Sequence, residues 1–209
     1  MYLPAPNESS FAPTPAGTHL ALCYRVIDLG TQESNYNGEM KKAHKVLLSW
    51  ELPDELMEDG RPFTVNQRFT WSMHEKATLR KYLEAWRGLA FTERDFGPSG
   101  FDIRNVLGKA CTLNVVHNEK AGSTYTNVAG VGKPMKGITI PTATINPLVY
   151  LWLHKDRWDA TVFASLSAGI QQAITKSPEY SDLMYDLHQA SGQDDGGRQN
   201  DFHDDQIPF

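Results

Sequence analysis

In THLALCYRVIDLG, Leu20, Leu22, Tyr24 and Val26 alternate with His19, Ala21, Cys23 and Arg25, a period of two that predicts a strand ending at Gly30. The polar, turn-rich TQESNYNGE that follows is expected to be a loop. KKAHKVLLSWELP resumes the alternation, with Val46, Leu48, Trp50 and Leu52 on one face and Lys45, Leu47, Ser49 and Glu51 on the other, closed by Pro53. A third strand is expected in FTVNQRFTWSM, where Phe63, Val65, Phe69 and Trp71 oppose Thr64, Asn66, Arg68 and Thr70. The period then changes. Ser72 to Glu75 has the form of a capping box opening a helix, Leu79, Leu83 and Trp86 supply its apolar stripe, and Gly88 is placed to end it. After a short FDIRNVL turn, GKACTLNVVHNE and STYTNVAGVGKP are expected to be strands four and five, joined as a hairpin through EKAG.

Three strands, a helix and two more strands is the connectivity of a five-stranded OB-fold barrel, expected over residues 15–150 of a mainly β chain. The C-terminal third departs from this pattern. ITIPTATINPLVYLWL reads as an extended crossing segment. Trp158, Val162, Leu166 and Ile170 form a helical stripe, which must pack on its own barrel or on a second copy, and Ser177-Pro178-Glu179 restarts a short helix. Residues 151–189 are therefore a helical appendage, and self-association is left open. Residues 190–209, poor in aliphatic side chains until their last three, are expected to be a disordered acidic tail. Residues 1–14, with four prolines among the first 15 positions, are expected to be a flexible arm.

Charge sharpens the division. The 209 residues carry a formal −5, yet five Asp against one Arg beyond Ala190 account for −4, leaving the body near neutral. The N-terminus lacks a secretory pattern and no apolar run is long enough to span a bilayer, so a cytoplasmic location and no membrane partner are expected. Cys23 and Cys111 lie far apart in apolar stretches and are expected to be buried, reduced thiols. No nucleotide-binding, hydrolase or zinc-protease motif occurs, Asp28 and Glu33 read as turn and solvent-face acids, and His203 among the tail aspartates could bind a metal only loosely, on a segment expected to be disordered. Neither an enzyme nor a cofactor is expected.

Binding a single strand without sequence preference needs cations for phosphates and flat side chains for bases. The cation candidates are Arg25, Lys42, Lys45 and Arg68, and the stacking candidates are Trp50, Phe69, Trp71 and Tyr125. Each aromatic has the alternative of belonging to the core. Trp50 shares its face with Val46 and Leu48, and alternation puts Arg68 and Trp71 on opposite faces.

The closing residues DFHDDQIPF resemble the C-terminal tip of bacterial single-stranded DNA-binding proteins. That likeness implies that Asp201, Phe202, Asp204, Asp205, Ile207, Pro208 and Phe209 dock onto replication, recombination or repair enzymes, with the Phe209 ring in an apolar pocket and the aspartates facing a basic rim. The segments PAGTHLALCYRVIDLGTQ, KVLLSWELP, GRPFTVNQRFTWSMHEKATLRKYLEAWRG and ITKSPEY resemble a bacteriophage family of single-stranded DNA-binding proteins with OB-folds. This implies a phage protein that coats single-stranded DNA in the host cytoplasm. An adaptor that captures host enzymes, or a recombination mediator with annealing activity, would share the same features.

Overall fold

The computed structural model describes residues 13–36, 38–98, 100–120 and 123–192. The chain is mainly β. Six strands, β1 (Gly17–Tyr36), β2 (Glu39–Leu56), β3 (Pro62–Thr70), β4 (Ala110–Lys120), β5 (Ser123–Gly132) and β6 (Val149–Leu151), form one sheet. Five of them pair antiparallel in the order β3-β2-β1-β4-β5, and β6 joins β1 in parallel. The ladder is open between β3 and β5, although their Cα atoms approach within 8 Å. Helix α1 (Thr78–Arg87) lies against both of these edge strands. Its stripe of Leu79, Leu83 and Trp86 is buried as expected, worth about 1.5–3 kcal/mol for each side chain. Tyr82 Oη donates to Val128 O at 3.0 Å and Trp86 Nε1 to Ala110 O at 2.7 Å, fixing the helix across β4 and β5. Gly88 takes φ 63° as its C-terminal cap.

Several expectations need correction. TQESNY is not a loop. It continues β1 to Tyr36, paired in register from Thr31↔His44 to Tyr36↔Glu39. Gly30 is a bulge within the strand and not its end: the register shifts between Asp28 and Gly30, and φ is +65°. A Cβ at Gly30 would come 2.4 Å from Ser177 Oγ, so only glycine lets the later helix sit this close. The capping box does not open α1. The helix begins after Ala77 with no side-chain cap, and Ser72 Oγ instead accepts from His74 N within the preceding turn.

Asp28 is not a surface turn acid. It is 2% exposed and accepts hydrogen bonds from Gly30 N and Leu153 N as well as pairing with His44. Glu33 does face solvent, paired with Lys42. Both cysteines are buried and free, and burial pushes the Cys23 thiol up to about 12.

The C-terminal third covers the sheet's second face. The stripe from Trp158 to Ile170 is two helices, α2 (Ala160–Ser165) and α3 (Ala168–Thr175), broken at Leu166 and Ser167. Helix α4 (Pro178–Gly192) starts at Pro178, with Ser177 Oγ accepting from Tyr180 N, and runs on in polar sequence past the last buried leucine, Leu183. Ile170 and Ile174 of α3 pack with Ile27, Leu29, Leu47 and Leu151 in a second core, so the stripe is buried on the chain's own sheet. The first core, on the other face, joins Val46, Leu48, Trp50, Leu52, Val65 and Phe69 to α1. Glu51 is fully buried beneath the segment leading to β6, where it accepts from the backbone N–H groups of Ile145 and Asn146 and from Asn146 Nδ2, at 2.6–2.7 Å. At the N-terminal end, Thr14 is no part of a free arm. It is buried, with Oγ1 donating to Thr64 O and its carbonyl accepting from His117 Nε2.

Candidate nucleic-acid interface

Alternation along β2 and β3 leaves Lys45, Leu47 and Ser49 paired rung by rung with Thr70, Arg68 and Asn66, on the face opposite the first core. Arg25 of β1 stands opposite Ser49 in the next strand. Its Nε donates to Ser49 Oγ at 2.9 Å and its Nη2 to Asn66 Oδ1 at 3.0 Å, so the guanidinium lies across three strands held only by neutral groups. Lys45 Nζ donates to Thr70 Oγ1 at 2.8 Å, again a neutral partner. Among the described residues no carboxylate pairs with Arg25, Lys45 or Arg68, whereas Arg61, Arg80, Arg87 and Arg104 are each neutralised by a nearby acid.

Three open grooves meet at Arg68. One, of about 630 Å³, runs past Lys45, Thr70, Ser72 and His74 to Lys76 at the approach to α1. A second, of about 490 Å³, lies over Arg25, Leu47, Asn66 and Asn127 and reaches α3. The third, of about 600 Å³, follows the β1 ribbon from Thr31 to Glu33 and is bounded by Gln172 and Lys176. Glu33 is the carboxylate in the lining of these grooves, and Lys42 Nζ sits 2.7 Å from it. The hydrogen bond and charge of Glu33 raise the Lys42 pKa.

The sequence candidates therefore separate. Arg25, Lys45 and Arg68 come together along one face. Lys42 is set apart on the ribbon, where it neutralises Glu33. Trp50 and Phe69 are core residues, 0% and 2% exposed, and offer no stacking surface. Their rings pack on Trp86 and Tyr82 at centroid distances of 5.9 and 5.0 Å, because α1 covers the face of the sheet they point to. Trp71 falls just beyond β3, 38% exposed, with its ring 5.5 Å from that of His44. Tyr125 is 52% exposed on β5, two residues and thus one side-chain repeat from the groove-lining Asn127. Asp201, Phe202, Asp204, Asp205, Ile207, Pro208 and Phe209 lie outside the described residues.

Strand reasoning overlooked Asn66, Asn127, Lys76 and Lys176. Asn66 was legible, since it shares the outward face with Arg68. Lys76 and Lys176 come from a turn and from the end of α3, where no strand period points to them. The arrangement offers phosphate-binding cations and amides that both donate and accept hydrogen bonds. It offers little for metal chemistry: no three His, Cys, Asp or Glu side chains converge among the described residues. No helix among them is long and apolar enough to cross a membrane. No protein-family model matches this chain, and no curated protein matches it either.

Proposed function

We propose that the protein binds single-stranded DNA without sequence preference, through the face carrying Arg25, Lys45 and Arg68. The observation that carries the reading is Arg68, a guanidinium without an acidic partner where three polar grooves meet. A face that leaves its cations unneutralised, while Arg61, Arg80, Arg87 and Arg104 elsewhere are paired with acids, suits a polyanion. Trp71, just beyond β3, and Tyr125, on β5, are exposed rings of the kind a base-stacking site requires. The strand order and the helix between β3 and β4 support an OB-fold, curled so that β3 and β5 approach. The acidic tip, by its likeness to that of bacterial single-stranded DNA-binding proteins, docks replication, recombination or repair enzymes onto the coated strand. A phage protein acting on its own replication intermediates fits both resemblances.

The test is a titration of labelled oligo-dT and its duplex counterpart at two salt concentrations, with the full chain and with a chain ending at Gly192. Tight, salt-sensitive binding to the single strand, kept when the tail is removed, is expected. No binding by either chain at low salt would refute the reading and leave the sheet a protein-binding platform.

A further inference from the structure

We infer that helix α3 forms the second wall of a channel for a single polynucleotide strand, and that Gly169 sets the width of that channel; this rests on the single-strand reading above. Arg68 on β3 and Gly169 on α3 line the same two adjoining grooves, so one wall is sheet and the other is helix. Nothing in the fold demands glycine at this position. A Cβ built there meets no atom within 4 Å, and the backbone is helical and not left-handed. Within a helix glycine is the poorer choice beside alanine, both for its backbone entropy and for its exposed peptide. What the missing side chain provides is open space in front of Arg68, which suits close approach of a ligand backbone.

The wall is firmly seated. Ile170, at the floor of the second groove, and Ile174 are buried in one core with Ile27 and Leu47, and Gln32 Nε2 donates to Ala173 O at 2.9 Å. Ser167 and Gln172 on the helix side and Asn66 and Asn127 on the sheet side give the channel hydroxyl and amide groups. Such groups meet base edges or sugars in either hydrogen-bonding sense, so they grip a strand without choosing a sequence. A lone flexible strand can pass between sheet and helix. The wall therefore adds contacts along the strand to the attraction of the cations.

The experiment compares Gly169→Leu with Ala168→Leu, which puts the same side chain at an exposed neighbour that lines neither groove. Oligo-dT affinity and thermal melting are measured for both variants and for the unaltered full chain. The expected result is a loss of about tenfold or more in affinity for Gly169→Leu, with melting unchanged or raised, and unaltered binding by Ala168→Leu. Gly169→Leu binding as tightly as the unaltered chain would overturn the inference. So would an equal loss in Ala168→Leu, which would trace the effect to the helix and not to the channel. Failure of the unaltered chain to bind oligo-dT would show in its own titration and would bring down the single-strand reading together with this one.

Discussion

His44 Nε2 lies 2.6 Å from Oδ1 of the buried Asp28, while the other ring nitrogen, Nδ1, lies 3.4 Å from Glu179 Oε1 at the start of α4. One imidazole thus ties the β1–β2 ribbon to the last helix. Thr31 strengthens the tie, its backbone N–H and its hydroxyl both donating to the Glu179 carboxylate. The hydrogen bond to Asp28 raises the His44 pKa against the opposing effect of burial, with the charges of Asp28 and Glu179 adding to it. Burial pushes Glu179 upward, but the hydrogen bonds from Thr31 and the charge of His44 outweigh it and hold the carboxyl below its ordinary value.

A pH dependence of stability follows, with a sign for each group. The raised His44 pKa contributes stability that is complete below the ordinary histidine value and is lost as pH rises through the raised one. The lowered Glu179 pKa contributes stability that is present above the ordinary glutamate value and is lost as pH falls through the lowered one. Melting temperature measured against pH is expected to be highest between the two. His44→Gln should remove the alkaline fall and cost about 1 kcal/mol near neutrality, since the ring is partly solvated. That corresponds to about 2–4 °C in a domain of this size. A variant that keeps the alkaline fall would assign it to another group.

Arg68→Ala and Lys45→Ala are each expected to weaken binding to oligo-dT by about fivefold to tenfold without lowering the melting temperature. Removing a cation that neutralises one phosphate should also flatten the plot of log affinity against log salt by about 0.7. Lys42→Ala, at the ion pair with Glu33, should change affinity far less. Equal affinity for all three variants and the parent would place the strand elsewhere.

The aromatic candidates make opposite predictions. Trp71→Ala and Tyr125→Ala should each lower single-strand affinity by about 1–3 kcal/mol, the scale of stacking between one base and one ring. Trp50→Ala should instead cost about 3–5 kcal/mol of folding stability, because it empties the core against Trp86. Trp50→Phe, which keeps an aromatic ring in the core, should bind DNA as the parent does. Calorimetric melting beside a binding titration separates the two classes.

Glu51→Ala leaves three donors without their acceptor, the backbone N–H groups of Ile145 and Asn146 and the side-chain amide of Asn146. The loss is expected to be about 1–3 kcal/mol, the scale for polar groups left without their hydrogen-bond partner. Denaturant titration should show the full loss in the midpoint. A change under about 1 kcal/mol would mean that the 145–146 segment finds other acceptors.

How much of this was legible in the sequence depends on whether one face or both are covered. The α1 stripe and the β4–β5 hairpin have one buried face each, and their periods marked them correctly. In β2, Ser49 and Glu51 are as buried as Trp50, Glu51 beneath the segment before β6 and Ser49 beneath the Arg25 side chain. Alternation on such a strand separates two interiors and not inside from outside, which is how a core tryptophan came to be considered for stacking. The ribbon from Thr31 to Tyr36 was hidden for the opposite reason. It has too few apolar positions to show a period, and only its pairing with residues 39–44 makes it a strand. The position of α3 over the groove depends on packing between residues more than a hundred positions apart, which no local pattern encodes.

Strand β1 pairs with β2, β4 and β6, and the last of these partners lies more than a hundred residues downstream. Long-range closures of this kind form slowly, because the intervening loop must lose its entropy before any contact rewards it. Ile27 and Leu29 therefore remain uncovered on the growing chain until β6 and α3 have been synthesised. The face that ends as the floor beneath α3 begins as bare apolar surface on the nascent protein, and the longer it stays bare the more prone the chain is to aggregate before it has folded.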